Sequence, residues 1–495
     1  MLVGATAETL RLLEEIQRGG DFAKSITTAT GLVAYDLQAP AKNLYPVITP
    51  IRNRLPRVAG NGGTATHWVA VNAIIGSGVS SMGWVPEGQR SGPMSYSTAN
   101  VAATYVTMGE EDQVSFESVS AGRGFEDVKA SMVLRLLQKY MLKQENAYLG
   151  GNKSIQLGTP SSAPTVSASG TGATLPAATY SVIVVPLTLE GFLAASLSSG
   201  VVQTQAITGQ DGKPYTLNGG SGNKSSNNTQ AVTLGQTLFA SIAPITGAVA
   251  YAWYVGTAGA ETLQAITTIN SASFSAPLTS GQQAATAITA DCSYNANYAF
   301  DGLLSTAFKG GSGAYIAVQA TGTAGTGTPL TSSGRGSVQE IDTMLKAMWD
   351  NWRVSPTVLW VNSQEQKNIT NKVLSTGSAP LLQFRTEGKE PLAIVAGGVV
   401  AYYYNPFAMN GGVNIPVMLH PTLPPGTIMG WCENLPIQYQ NNNVPNVAEV
   451  HCRQDYYQID WPLVTRAWQS GVYSEEVLAV YAPFAIGIIT NIGNG

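Results

Sequence analysis

Residues 248–255 alternate strictly: Val249, Tyr251, Trp253 and Val255 fall on one side of an extended chain, and Ala248, Ala250, Ala252 and Tyr254 on the other. A period of two marks a β-strand. Tyr180–Val185 and Ile266–Ile269 are further β-branched runs between turn clusters, and no helical periodicity is visible from 154 to 290. The pattern there predicts a small all-β sandwich. The flanks follow a different period. From Phe125 to Leu149, Val133, Leu136, Leu137, Tyr140, Met141 and Tyr148 lie on one broad helical face. Glu126 and Asp127 at the start and Lys139 and Lys143 towards the end match the helix dipole. Gly150, Gly151 and Asn152 are expected to stop it. At about 1.5 Å per residue this helix is roughly 37 Å long, more than a compact domain needs, and it reads as a strut.

Ahead of the strut, Ala65–Val71 and Tyr96–Met108 read as strands joined by a turn-rich connection through Gly76, Gly83, Pro86, Gly88 and Pro93. That predicts a long two-stranded arm. A lone hairpin is at best marginally stable in water, and this one carries Trp68, Trp84, Tyr96 and Tyr105. Two readings stand side by side: a neighbouring subunit covers the arm, or the hairpin folds back on its own domain. Past the all-β stretch, Ser337 and Glu340 have the spacing of a capping box for a helix with Ile341, Met344, Leu345, Met348 and Trp352, ended by Pro356. Thr357–Val361 is then a buried strand, and Ser363 with Gln366 caps a second helix to Leu374, giving an α/β layer. Strand text returns at Ala393–Tyr404 and Ile428–Asp460, with Pro421, Pro424 and Pro425 marking a loop.

Charge sharpens the boundaries. Residues 154–290 hold only Glu190, Asp211, Lys213, Lys224 and Glu261, whereas the rest of the 495-residue chain carries 51 charges. Ser/Thr/Pro/Gly stretches at 158–164 and 277–283 bound this step, so the segment reads as a domain inserted into the main one. Charged residues are 11% against about 25% in a typical soluble protein, but the apolar fraction of 44% excludes the composition of a disordered chain. Net charge is −4, with no Lys/Arg block of the kind that neutralises nucleic-acid phosphates. Glu8, Glu14 and Glu15 interrupt any export signal, and the longest apolar run, Leu478–Ile489, is short for a membrane span and contains Pro483. Cys292, Cys432 and Cys452 are too few and odd in number for a disulfide scaffold, and they suit a reducing compartment.

Candidate chemistry is sparse. There is no P-loop, no G-x-G-x-x-G and no G-x-S-x-G elbow. His67 lies in an arm strand, where packing is its expected role; His420 precedes Pro421 in a loop, and His451 adjoins Cys452. A metal site of His420, Cys432, His451 and Cys452 lacks the usual two-to-four-residue ligand spacing, since neighbours in a strand face opposite ways. The cysteines are expected as buried small hydrophobes. The acid pairs Glu110/Glu111 and Glu475/Glu476 have the residue types of a glycosidase. They are read instead as solvated surface or, for the second pair, as the first turn of a helix opened by Ser474. No cofactor or metal is expected.

The order of parts, a short N-terminal segment, a two-stranded arm, a long helix, an α/β layer and a β-rich end, resembles the major capsid proteins of tailed bacteriophages, the Hong Kong phage fold. Thr49-Pro50-Ile51-Arg52-Asn53-Arg54-Leu55-Pro56-Arg57 and Trp84-Val85-Pro86-Glu87-Gly88 look like the entry and tip of that family's extended loop; 122–150 looks like its spine helix and 337–374 like its axial domain. The resemblance implies an α+β capsid fold with an N-terminal arm (1–57), extended loop (58–112), spine helix and peripheral domain (113–153 and 291–334), axial domain (335–450) and a C-terminal return (451–495). Pro164-Thr165-Val166, Tyr180-Ser181-Val182 and 247–255 make the insert (154–290) similar to an immunoglobulin or fibronectin type III-like sandwich.

The resemblance further implies a non-enzymatic virion subunit, assembled in the host cytoplasm into pentamers and hexamers of an icosahedral head around double-stranded DNA, away from any membrane. Trp68, Trp84, Pro86, Tyr96 and Tyr105 would be its intersubunit contacts. A separate scaffolding protein and a portal are implied partners, with a decoration protein as a further one. Some family members cross-link through a loop Lys and a neighbour's Asn, but residues 58–110 contain no Lys. The competing reading is a carbohydrate-binding or adhesive β-rich surface protein, with Trp253 and Tyr254 of the insert as its contact surface.

Overall fold

The computed structural model describes residues 45–493 apart from 61, 76–81, 124–125, 334–335, 375–381, 386–392, 397–399, 410 and 437–445. Most of the N-terminal segment expected at 1–57 therefore lies outside the described residues. The chain runs β1 (Arg57–Ala59), β2 (Ala65–Ile75), β3 (Ser95–Thr104), β4 (Val106–Ser115), α1 (Phe116–Ala121) and α2 (Val128–Gly150). The next stretch holds β5 (Thr165–Ser169), β6 (Ala178–Leu187), α3 (Leu189–Ala194), β7 (Thr204–Thr208), β8 (Pro214–Asn218), β9 (Asn228–Val232), β10 (Thr237–Ser241), β11 (Ala250–Gly256), β12 (Thr262–Thr267) and β13 (Ser271–Phe274). After it come α4 (Leu303–Phe308), β14 (Tyr315–Val318), α5 (Gln339–Trp352), β15 (Val358–Val361), α6 (Ser363–Leu374), β16 (Leu382–Arg385), β17 (Ala393–Ala396) and β18 (Tyr402–Asn405). The end is all strand: β19 (Val413–Leu419), β20 (Ile428–Trp431), β21 (Ala448–Asp460), β22 (Ala467–Val480) and β23 (Ile486–Thr490). The fold is mixed α+β.

Two sheets carry the main body. One has the order β14-β23-β20-β15-β19-β18, the other β1-β21-β22-β4. The six-stranded sheet is buried at its centre, where β15, β20 and β23 read as unbroken apolar runs. Helix α5 packs on it through Ile341, Met344, Leu345 and Met348. It comes close because Gly487 has no side chain: a methyl there would lie 2.7 Å from the Met344 sulfur and 2.9 Å from that of Met348. The four-stranded sheet lies under α2, which begins where Asp127 Oδ1 accepts the N–H groups of Lys129 and Ala130.

Helix α5 has no side-chain cap at its first residue; Glu340 instead accepts the N–H of Thr331, and Ser337 donates to Asp342. The helix ends at Arg353 in the left-handed region (φ 55), ahead of Pro356. For α6 the acceptor is Asn362, whose Oδ1 takes the N–H of Gln364, one residue before the expected Ser363. No helix opens at Ser474: Ser474, Glu475 and Glu476 lie in β22, a 14-residue strand. On α2 the covered face includes Gln144 and Glu145 beside Leu136, Tyr140 and Tyr148, so it is less apolar than hydrophobic periodicity implied.

The insert is a two-sheet sandwich, β13-β10-β5 facing β12-β11-β6-β9, around Val182, Val184, Leu238, Tyr251, Trp253 and Phe274. Its ends lie together: Leu157 N–H donates to Ser293 Oγ and Gly158 N–H to Asp291. Its first two strands sit in different sheets, unlike the immunoglobulin constant-type order in which they pair. It also contains helix α3, capped by Thr188, in a stretch that read as purely β. Leu189 of α3 and Val249 join the main core beside Leu149, Leu304 and Phe308, so the insert shares packing with the body.

Candidate assembly interface

The arm is rooted by two buried carboxylates. Glu145 on α2 accepts the N–H groups of Ile51 (2.9 Å) and Arg52 (2.7 Å), and its Oε1 also lies 2.7 Å from Nε2 of buried His420. His420 Nδ1 accepts from the Thr422 N–H at 3.3 Å, which leaves Nε2 as the protonated nitrogen donating to Glu145. One carboxylate thus ties the arm's entry, α2 and the loop after β19 together.

Glu476 on β22 is the second. Its Oε2 receives Arg57, and its Oε1 receives Gln144 Nε2 and the Tyr148 hydroxyl, all at 2.7 Å. Arg57 also donates to Tyr148 and Asp455. Burial opposes the Arg57 charge, but Glu476 and Asp455 outweigh it and raise its pKa. Burial next to Glu476 also pushes the Tyr148 hydroxyl well above its ordinary value, so it stays protonated and donates. Arg52 completes the network, donating to Tyr456 and Gln144. Buried charges persist only when paired and hydrogen-bonded in this way.

From that root the chain runs into an antiparallel hairpin. Trp68 pairs with Val101, Ala70 with Ala99 and Ile74 with Tyr96, with a bulge between Val71 and Ala73. Strands β2 and β3 form a sheet of their own, and among the described residues no third strand pairs with them. At roughly 3.4 Å per residue each strand is about 35 Å long. Val69, Val71, Ile74, Ile75, Trp84 and Tyr96 are all exposed, Trp84 at 88% and Ile74 at 72%. Pro86 is exposed as well.

Trp68 and Tyr105 sit elsewhere. Trp68 meets Tyr481 edge-on at 5.3 Å, and Tyr105 packs against the core over Gly60. Both belong to the arm's base, whereas Trp84, Pro86 and Tyr96 face outward. Tyr105 also breaks the strand expected over Tyr96–Met108: β3 ends at Thr104 and β4 joins the body sheet from Val106.

Trp253 and Tyr254 are not a contact surface. Both are fully buried; Trp253 Nε1 donates to Thr267 and the Tyr254 hydroxyl to Gln283. Strand β11 is central in its sheet, with the sandwich core on one face and Leu263, Ala285 and Ile288 on the other, so its alternation separates two interiors. Glu110 pairs with Lys143 of α2, and Glu111 accepts from Tyr473 and Trp461. His67 is exposed on the arm, and His451 contacts Tyr481. All three cysteines are buried and free, and burial raises the thiol pKa of Cys432 to about 12 and of Cys452 to about 11. Among the described residues no group of three or more His, Cys, Asp or Glu is placed to hold a metal ion, and no helix is long and apolar enough to cross a membrane. Sequence reasoning missed the root network; its only signal was the density of Arg52, Arg54 and Arg57 ahead of the arm.

No protein-family model matches the chain, and no curated protein matches it in sequence. Several solved structures are similar over nearly its whole length. The capsid of an empty GTA particle is 8% identical, covers 95% of this chain and 98% of its own, and has a TM-score of 0.43. The cyanophage A-1(L) capsid is 12% identical over 94% of this chain and 99% of its own, with a TM-score of 0.42. The holo-SrpI encapsulin complex from Synechococcus elongatus PCC 7942 is 9% identical over 94% and 95%, with a TM-score of 0.40.

Proposed function

We propose that this chain is the shell-forming subunit of a tailed-phage-type head, the major capsid protein, assembling into pentamers and hexamers. The observation that carries the reading is the arm: a long hairpin, firmly rooted, paired with no other described strand and bearing exposed Val69, Val71, Ile74, Trp84 and Tyr96. Such a hairpin is marginal in water alone, and contiguous exposed apolar surface marks an interaction site. An arm on one copy and a different receiving surface on the next is a heterologous contact, which closes into rings when the rotation permits. Trp84, Pro86 and Tyr96 are the outer contacts in this reading, and Trp68 and Tyr105 set the angle at which the arm leaves.

The assembly is held noncovalently, since the arm offers no Lys for an isopeptide bond. Its partners are further copies of itself, a separate scaffolding protein and a portal, with packaged DNA near but not sequence-read, and its place is the virion. Negative-stain microscopy of the purified protein tests this: closed particles, pentamers or hexamers support it, and dispersed monomers at all concentrations overturn it.

A further inference from the structure

Helix α2 is apolar on two sides. Leu136 and Tyr140 pack on the sheet with Val472 of β22. About 110° round the helix from them, Ala130, Leu134, Leu137 and Met141 form a second stripe at intervals of four, three and four residues. Leu137 and Met141 are half-buried, whereas Ala130 is exposed and Leu134 is 57% exposed. A helix lying on a sheet needs one apolar side, and a second is what a further packed element would use.

The chain itself leads to this stripe. Glu145, which takes the N–H groups of Ile51 and Arg52, lies one turn beyond Met141 on the same side of α2. The described residues begin six positions before Ile51, at Tyr45, and Tyr45 and Ile48 are 65% and 54% exposed. Residues 1–44 lie outside the described residues, and their sequence carries a matching period. Wound as a helix, residues 7–18 would place Leu10, Leu12, Leu13 and Ile16 within about 160° and Glu8, Arg11, Glu14, Glu15 and Arg18 on the remainder. Gly19 and Gly20 follow, as at a helix end.

We propose that residues 7–18 form an amphipathic helix that docks on the Ala130–Met141 stripe of the same chain. Twelve helical residues are about 18 Å long, and the stripe runs about 17 Å. Arg135 and Lys139 border the stripe, both exposed, with Arg135 3.8 Å from Glu126. Glu14 borders the apolar side of the segment at one edge and Glu15 at the other, so packing in either direction brings an acid to those cations. A tether the length of residues 21–44 spans roughly 27 Å as a random coil. That reaches either end of the stripe and presents the segment to its own α2 at a higher effective concentration than to any other chain. The inference does not rest on the shell reading.

Hydrogen exchange of the full chain, read by mass spectrometry, tests it. Amides of residues 8–17 should exchange at least about tenfold slower than an unstructured chain, and Leu134→Glu should return them to the unstructured rate. Leu13→Glu, which alters only the segment, should do the same with the melting temperature of the body kept. Met409→Glu, at an exposed position remote in sequence from both, should leave the protection unchanged. Exchange of residues 8–17 at the unstructured rate in the wild type overturns the proposal, as does protection that survives both leucine substitutions. Protection that disappears on dilution while the chain stays folded overturns it in favour of docking on a neighbouring copy.

Discussion

Glu476 and Arg57 stand 419 positions apart in the chain and meet at 2.7 Å, the carboxylate fully buried and the guanidinium mostly so. This pair bolts the root of the arm to the centre of the β21–β22 hairpin. Removing one partner of a buried pair leaves the other charge uncompensated, at a cost of about 3 kcal/mol or more. Glu476→Ala should lose about that much in urea unfolding; a loss under about 1 kcal/mol would mean that the network is not what holds the root.

The insert is stitched to the body by Leu189. Its Cβ would lie 2.7 Å from a methyl placed on Gly150, so the end of α2 and the start of α3 are in direct contact. Leu189→Ala should cost about 2–5 kcal/mol, the range for a buried leucine. Residues 158–288 expressed alone should give a β-type circular dichroism spectrum and a cooperative melt, since their own core is extensive. Replacing them with a Gly/Ser linker should lower the melting temperature of the remaining chain, because Leu149, Leu304 and Phe308 lose their cover. An unchanged melting temperature would show the insert to be an independent appendage.

Glu365 supplies a pH dependence with a definite sign. It is fully buried, and burial raises its pKa more than the hydrogen bonds from Gly426 and Asn368 lower it. A carboxyl with a raised folded pKa binds its proton more tightly folded than unfolded. Its contribution is present below the ordinary carboxylate range and is lost as pH rises through the folded value. Glu365→Gln escapes that loss, so the melting temperature of the variant relative to wild type should climb as pH rises above the ordinary carboxylate range. A constant or falling difference would contradict this.

The helices α2, α5 and α6, the arm and the inserted sandwich were legible because each writes its own local period. What was illegible depends on partners far along the chain. Glu476 looks like a solvated acid or a helix start until Arg57 and Tyr148 are placed around it. Trp253 and Tyr254 alternate as a half-exposed strand would, and only the second layer, with Leu263 and Ile288, buries both sides. The order β14-β23-β20-β15-β19-β18 joins strands that local text cannot pair. The cap at α6 fell one residue earlier than expected because Asn362 Oδ1 accepts the Gln364 N–H and also the Ser363 hydroxyl, so Ser363 donates there instead of capping.

If the arm makes the assembly, deleting Ala73–Ser95 removes the contact that closes it. Wild type and deletion should be purified in parallel and examined by electron microscopy and sedimentation velocity. Closed particles or capsomers are expected from wild type, and from the deletion a soluble chain with its helical circular dichroism intact that no longer closes. Normal closed shells from the deleted chain would contradict it.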